Sequence, residues 1–128
     1  MDFDTNLPIY LQIMTEIKRL IITGTYKPSQ KIPSVRELAI DYGVNPNTVQ
    51  RALSELEREG LVASERTSGR FICDDIERIQ KLRVTMMKEK TDQFLREIHE
   101  YGFDEEELME TLRERLQNGK SCCDLRIK

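Results

Sequence analysis

The stretch PSVRELAIDYGVNPNTVQRALSELEREGLV, from Pro33 to Val62, decides the reading of this chain. It holds two short helical patterns on either side of a tight turn. Ser34 is placed to cap the first, and Glu37 three residues on completes a capping box, in which each side chain satisfies a backbone N–H that the helix leaves open. That helix is expected to run to about Tyr42. Gly43 can take the positive φ of a sharp helix-to-helix turn, and Val44 is the apolar residue that would plug the angle between the helices. Asn45 then caps a second helix, with Pro46 at its first position, where a missing N–H is harmless, and Gly60 at its end. The pattern predicts a helix-turn-helix.

Upstream, Leu7 and Pro8 open a helix in which Ile9, Ile13, Ile17, Leu20 and Ile21 share one face of a 3.6-residue period, and Gly24 stops it. A turn-rich connector, Thr25 to Lys31, leads to Ile32. This first helix is expected to lie across the back of the pair and to share a core with Val35, Leu38, Ala39, Val44, Val49, Leu53 and Leu56. Downstream of Gly60 the pattern turns short and extended. Residues 61–64 and 70–73 carry β-branched and aromatic side chains around a turn from Arg66 to Gly69, the grammar of a hairpin. Three helices followed by a two-stranded hairpin make a winged helix-turn-helix, with residues 66–69 as the wing tip.

From Asp74 the sequence is helical again. Ile76, Ile79, Leu82, Met86, Met87, Phe94, Ile98 and Tyr101 form a seam-like stripe up to Gly102, and Asp104 caps a shorter helix lined by Leu108, Met109, Leu112 and Leu116. The expected fold is therefore mainly α with a small β-hairpin, in three parts. Residues 1–73 form the winged helix-turn-helix, 74–119 a two-helix dimerisation and effector region, and 120–128 a disordered tail. A long striped helix and a short second one cannot enclose a core alone, so they should pair with a second copy. The residues expected at that interface are Ile79, Met86, Met87, Phe94, Ile98, Tyr101, Leu108 and Leu112. Met86, Met87, Phe94 and Tyr101 could also line a pocket for a small effector, although an apolar stripe of this kind ordinarily serves as interface core.

The chain has 128 residues, 38% hydrophobic and 34% charged, which allows one or two small domains with modest cores. No apolar run is long enough to span a membrane and the N-terminus lacks a signal-peptide pattern, so a cytoplasmic location is expected. Cys73, Cys122 and Cys123 are too few for a disulfide framework, and one histidine, His99, supports neither a metal cluster nor a catalytic triad. Walker and GxSxG motifs are absent. No enzyme activity, metal or cofactor is expected. The net charge of −3 argues against nucleic acid until its distribution is examined. Residues 1–72 carry nine Lys or Arg and nine Asp or Glu, whereas residues 73–128 carry eleven and fourteen, so the deficit lies entirely in the second part. A neutral first part can present one basic face, with Lys31, Arg36, Arg51, Arg66 and Arg70 as candidates.

On the second helix of the pair, Val49, Ala52, Leu53 and Leu56 share the inner face, leaving Asn47, Gln50, Arg51, Ser54 and Arg58 outside. Asn and Gln can hydrogen-bond adenine edges, Arg can grip guanine or phosphate, and the Thr48 methyl can meet thymine. These residues gather at the helix N-terminus, the end that enters the major groove in helix-turn-helix proteins. Arg36 sits where a backbone clamp would be.

At these residues the chain resembles the GntR family of bacterial transcription regulators. The matching motifs are PIYLQI (Pro8 to Ile13), G-x-Y-x-P (Gly24 to Pro28), KIPSVRELA (Lys31 to Ala39), GVNPNTVQRALSELEREGLV (Gly43 to Val62) and RTSGRFI (Arg66 to Ile72). The resemblance implies operator DNA contacts from Ser34, Arg36, Asn45, Asn47, Thr48, Gln50, Arg51, Arg66, Ser68 and Gly69. Two departures are visible. Ser29 stands where the family usually has glycine, implying a slightly different turn, and Thr67-Ser68 make the wing tip less glycine-rich. The short helical C-terminus is similar to the YtrA subfamily, which implies dimerisation through that region. The expected function is a homodimeric repressor on an inverted-repeat operator, possible release by a small effector being left open; a protein-interaction or RNA-binding winged helix is the rival.

Overall fold

The computed structural model describes residues 3–119. The expected tail at 120–128, with Cys122 and Cys123, lies outside them. Five helices and one hairpin follow in the order α1 (Ile9–Ile22), α2 (Val35–Tyr42), α3 (Pro46–Arg58), β1 (Val62–Glu65), β2 (Gly69–Ile72), α4 (Ile76–Glu100) and α5 (Glu105–Gly119). The chain divides into two compact units, Met1–Met86 and Met87–Lys128.

The first unit is the winged helix. Its capping chemistry is local and strong: the Ser34 hydroxyl accepts from the Glu37 N–H at 3.1 Å, and the Glu37 carboxylate accepts from the Ser34 N–H at 3.2 Å. Gly43 ends α2 in the left-handed conformation, φ 67°, which a side chain would disfavour. The Asn45 side chain then accepts from the Asn47 N–H at 2.8 Å, and Pro46 opens α3. These two start signals, separated by one turn, set the angle of the pair.

The core lies where α1, α2, α3 and the hairpin meet. Ile13, Ile17, Val49, Ala52, Leu53 and Leu56 are completely buried, and Leu38, Ala39, Leu61, Val62 and Ile72 close around them. Val35 and Val44 are half-buried against this cluster. On α1 the buried stripe is Ile13, Met14, Ile17 and Ile21; Ile9, expected on it, opens the helix and is 41% exposed.

The strands pair antiparallel, Val62 with Ile72 and Glu65 with Gly69 at the ends of the register. Each lies one residue off its expected span. The connector before α2 adds a third, irregular rung: Ser29 N–H donates to Ile72 O at 3.0 Å, Ile72 N–H to Gln30 O at 2.9 Å, and Ile32 N–H to Arg70 O at 3.0 Å. Those bonds carry the start of α2 to the side of the wing.

The first half of α4 belongs to this unit, which thus extends past the expected boundary at 73. Ile79 and Leu82 pack against the core and Met86 is buried. Arg78 and Arg83 donate to the carbonyls of Glu59 and Ile22, each at 2.9 Å, satisfying acceptors left open where α3 and α1 end.

The second unit holds the rest of α4 and α5. Gly102, at φ 75°, breaks the helix, and Asp104 forms a capping box with Glu107, accepting from its N–H at 2.8 Å. Tyr101 and Phe103 stack with centroids 6.2 Å apart. No helix among the described residues is long and apolar enough to cross a membrane.

Candidate nucleic-acid interface

Of the nine Lys and Arg in residues 3–72, four are ion-paired and five have no carboxylate partner among the described residues, Lys27 among the latter. Lys18, Arg19, Arg58 and Arg70 are ion-paired with Glu59, Glu16, Glu55 and Glu57, respectively. Lys31, Arg36, Arg51 and Arg66 have no carboxylate partner among the described residues, and all four are exposed. These four stand before α2, on α2, on α3 and in the wing turn. Unpaired cations on successive elements are what a polyanion requires, since no internal ion pair has to break before a phosphate binds.

Arg70, expected among the exposed basic residues, has another task. Its Nε donates to the Glu57 carboxylate at 2.7 Å, and the Ser64 hydroxyl donates to the same oxygen at 2.6 Å. Burial pushes the Glu57 carboxyl up, but the hydrogen bonds from Ser64 and Arg70 outweigh it and hold the group below its ordinary value. One carboxylate on α3 therefore ties both strands of the wing to the helix beside it.

The nominated residues fall into three places. At the α3 N-terminus, Asn45 is occupied as the cap, Asn47 is exposed and Thr48 is half-buried. The amide N–H of Gln50 donates to the Ser54 hydroxyl at 3.2 Å, leaving its carbonyl oxygen outward. Next to Gln50, the Arg51 guanidinium lies over the Tyr10 ring of α1, 3.8 Å from its centroid. The second place is α2, where Arg36 is exposed and the Ser34 hydroxyl, already accepting from Glu37, keeps its own proton to donate.

The third place is the wing. Ser34, Ser68 and Gly69 line one cleft of about 360 Å³ with Lys31, Thr67 and Arg70, so the wing tip and the start of α2 form a continuous surface. Gly69 has φ 104°, where any side chain would be strained, and the Lys31 side chain lies 3.1 Å from where a Cβ would stand and would have to shift slightly. Arg66 projects from the turn, exposed.

Two residues outside the nominated set enter this surface. Lys31 was visible as a basic residue, but its position against the wing depends on the irregular rung to β2. Tyr10 lies in the PIYLQI motif, but its role at the site is not legible there, because its contact with Arg51 exists only once α1 packs on α3.

Of the residues expected at a dimer interface, Ile79 and Met86 are occupied within the first unit. Met87, Phe94 and Tyr101 are exposed in the second, and Ile98, Leu108 and Leu112 half-buried.

Comparison with known proteins fits this geometry. The family described as bacterial regulatory proteins, gntR family, matches residues 9–72. The HTH-type transcriptional repressor YtrA of Bacillus subtilis is 40% identical over 111 residues, covering 86% of this chain and 85% of that protein. A solved GntR family transcriptional regulator from Listeria monocytogenes superposes with a TM-score of 0.80 at 38% identity, over 88% of this chain and 98% of the other. A structure of AraR(DBD) in complex with operator ORX1 is similar over 52% of this chain and 81% of that one, with a TM-score of 0.51 and 37% identity. The motifs, the winged helix and the near full-length similarity agree: the chain belongs to the gntR family of bacterial regulatory proteins, in its YtrA-like branch.

Proposed function

We propose that this regulator is a cytoplasmic repressor that binds an inverted-repeat DNA operator as a homodimer, placing two α3 helices in successive major grooves roughly 34–36 Å apart. The observation that carries the reading is the division of cations. Lys31, Arg36, Arg51 and Arg66 are unpaired just before α2, on α2, on α3 and in the wing, while Lys18, Arg19, Arg58 and Arg70 are held by carboxylates of α1, of α3 and of its C-cap Glu59. Asn47 and Gln50 supply base-reading groups, and Arg36, Arg66, Ser34 and Ser68 hold the backbone. The names of YtrA as a repressor and of AraR(DBD) as an operator complex support the same role.

The exposed apolar residues of the second unit supply the surface through which two copies pair. A small effector held there would change affinity only by preferring one separation of the two reading heads.

The test is a binding isotherm at fixed salt against a duplex selected from random sequence. Arg36→Ala and Gln50→Ala each weaken binding by on the order of 1–3 kcal/mol with the thermal transition unchanged. Arg36→Ala does so on any duplex, Gln50→Ala only on the selected one. Unchanged isotherms for both variants would defeat the assignment.

A further inference from the structure

We propose that Tyr10 is a positioning residue for DNA binding, its ring holding the Arg51 guanidinium in a fixed pose from which it clamps a phosphate at the edge of α3. The proposal rests on the DNA-binding reading above and assigns a role within it to the first helix, otherwise a support.

The geometry is specific. Arg51 lies 3.8 Å from the Tyr10 centroid, well inside the range at which a cation is drawn to the face of an aromatic ring. Tyr10 is half-buried and packs against the core, so the platform is anchored, while Arg51 is exposed. Stacking covers one face of the planar guanidinium. Its five N–H donors point outward in the plane, where none is taken up by a carboxylate among the described residues. The group is thus oriented but not satisfied.

That combination matters because an arginine free in solvent loses much rotamer freedom when it grips a phosphate. On Tyr10 the loss has already been taken in the unbound protein. Arg36 and Arg66 have no such ring contact among the described residues. Arg51 stands one turn beyond Asn47 and Thr48 on α3, and its guanidinium is held at the Tyr10 ring of α1. A guanidinium fixed at the seam between α1 and α3 suits a phosphate, whose oxygens accept from its fork of N–H donors without base-specific alignment.

The experiment uses the full chain, a duplex selected by the wild type from random sequence, and a scrambled duplex of equal composition, each titrated across a salt series. Arg51→Gln is expected to weaken both duplexes about five- to tenfold and to reduce the salt slope by about one. Tyr10→Leu, which keeps an apolar side chain on the core, should weaken both about two- to fivefold, and Tyr10→Phe, which keeps the ring, less than twofold. In the Arg51→Gln background, Tyr10→Leu should have no further effect, a coupling that a purely packing role would not produce. Equal losses from Tyr10→Leu in both backgrounds would overturn the proposal. So would an Arg51→Gln chain with unchanged affinity and slope, and in either case wild-type binding would leave the DNA-binding reading intact. A wild type that selects no duplex would instead remove that reading, and this proposal with it.

Discussion

The two units treat apolar side chains in opposite ways. In Met1–Met86, Ile13, Ile17, Val49, Leu53 and Leu56 are wholly hidden, and nearly every helix end is met by a cap, a glycine or an arginine from α4. Among the described residues from 87 to 118 none is buried: Tyr101 is 78% exposed, Met87 and Leu116 68% each. A soluble monomer rarely leaves so many large apolar groups in water. The first unit encloses its own core, whereas the second offers half of one. On the proposed reading this is a division of labour: an enclosed head keeps its reading surface in place, while an open apolar tail pairs with a second copy and sets how many heads act together.

The largest effect should come from separating the units at the right place. A chain ended after Met86 is expected to sediment as a monomer, to unfold at nearly the same temperature as the head of the full chain, and to lose about 10²- to 10⁴-fold in apparent operator affinity, the usual return on linking two weak sites. Ending it at Cys73 is a different experiment. That cut removes Ile79 and Leu82 from the core and the Arg78 and Arg83 donors from two helix ends, so the head itself should be destabilised. A dimer formed by residues 1–86 would break the comparison. Sedimentation and binding on one preparation decide it.

How far the sequence reveals this contrast depends on the range of the forces involved. Caps and turns act over three or four residues, so Ser34-Glu37, Gly43 and Asn45-Pro46 are legible in the letters and the helix pair follows from them. Hydrophobic period is nearly as local, and fixes α1 and α3, although Ile9 keeps the period and is still 41% exposed. What lies opposite a residue is not local. Ile79 and Phe94 belong to one stripe on one helix, yet only Ile79 meets the core, so the break between Met86 and Met87 has no mark in the pattern. The site divides likewise. Its residue types were readable, but which arginines are free was not: Arg70 and Arg66 look alike until Glu57, on a different element, is found to hold one of them.

That pairing yields the next effect. Glu57→Gln leaves Arg70 and Ser64 with a weaker acceptor and should destabilise the head by about 1 kcal/mol at pH 7, a modest figure because both partners are partly exposed. The pH dependence has a definite sign. A carboxyl held below its ordinary value contributes stability that is complete above the unfolded pKa, near 4.5, and is lost as pH falls through the lower folded value. Thermal transitions of wild type and variant should therefore differ at neutral pH and converge in strong acid. A difference that persists below the titration would mean that shape, not charge, anchors the wing.

The smallest effect tests how relaxed the self-sufficient unit is. Ser29 has φ 66°, the left-handed conformation that glycine adopts freely and other residues only at a cost of roughly 1–2 kcal/mol. The fold imposes it, since Ser29 N–H must reach Ile72 O to begin the rung that aligns α2 with the wing. Thus a serine holds the left-handed backbone that glycine adopts at less cost. Ser29→Gly removes that strain while giving the unfolded chain more freedom, worth about 0.4–1 kcal/mol in the other direction. The net expectation is a gain of about 0.5 kcal/mol, or a rise of about 2–4 °C in the thermal midpoint of a unit this size. Its backbone hydrogen bond survives the change, and its exposed hydroxyl has no partner to lose among the described residues. A midpoint that falls would show that the serine's restriction of the unfolded chain outweighs the strain it carries in the fold.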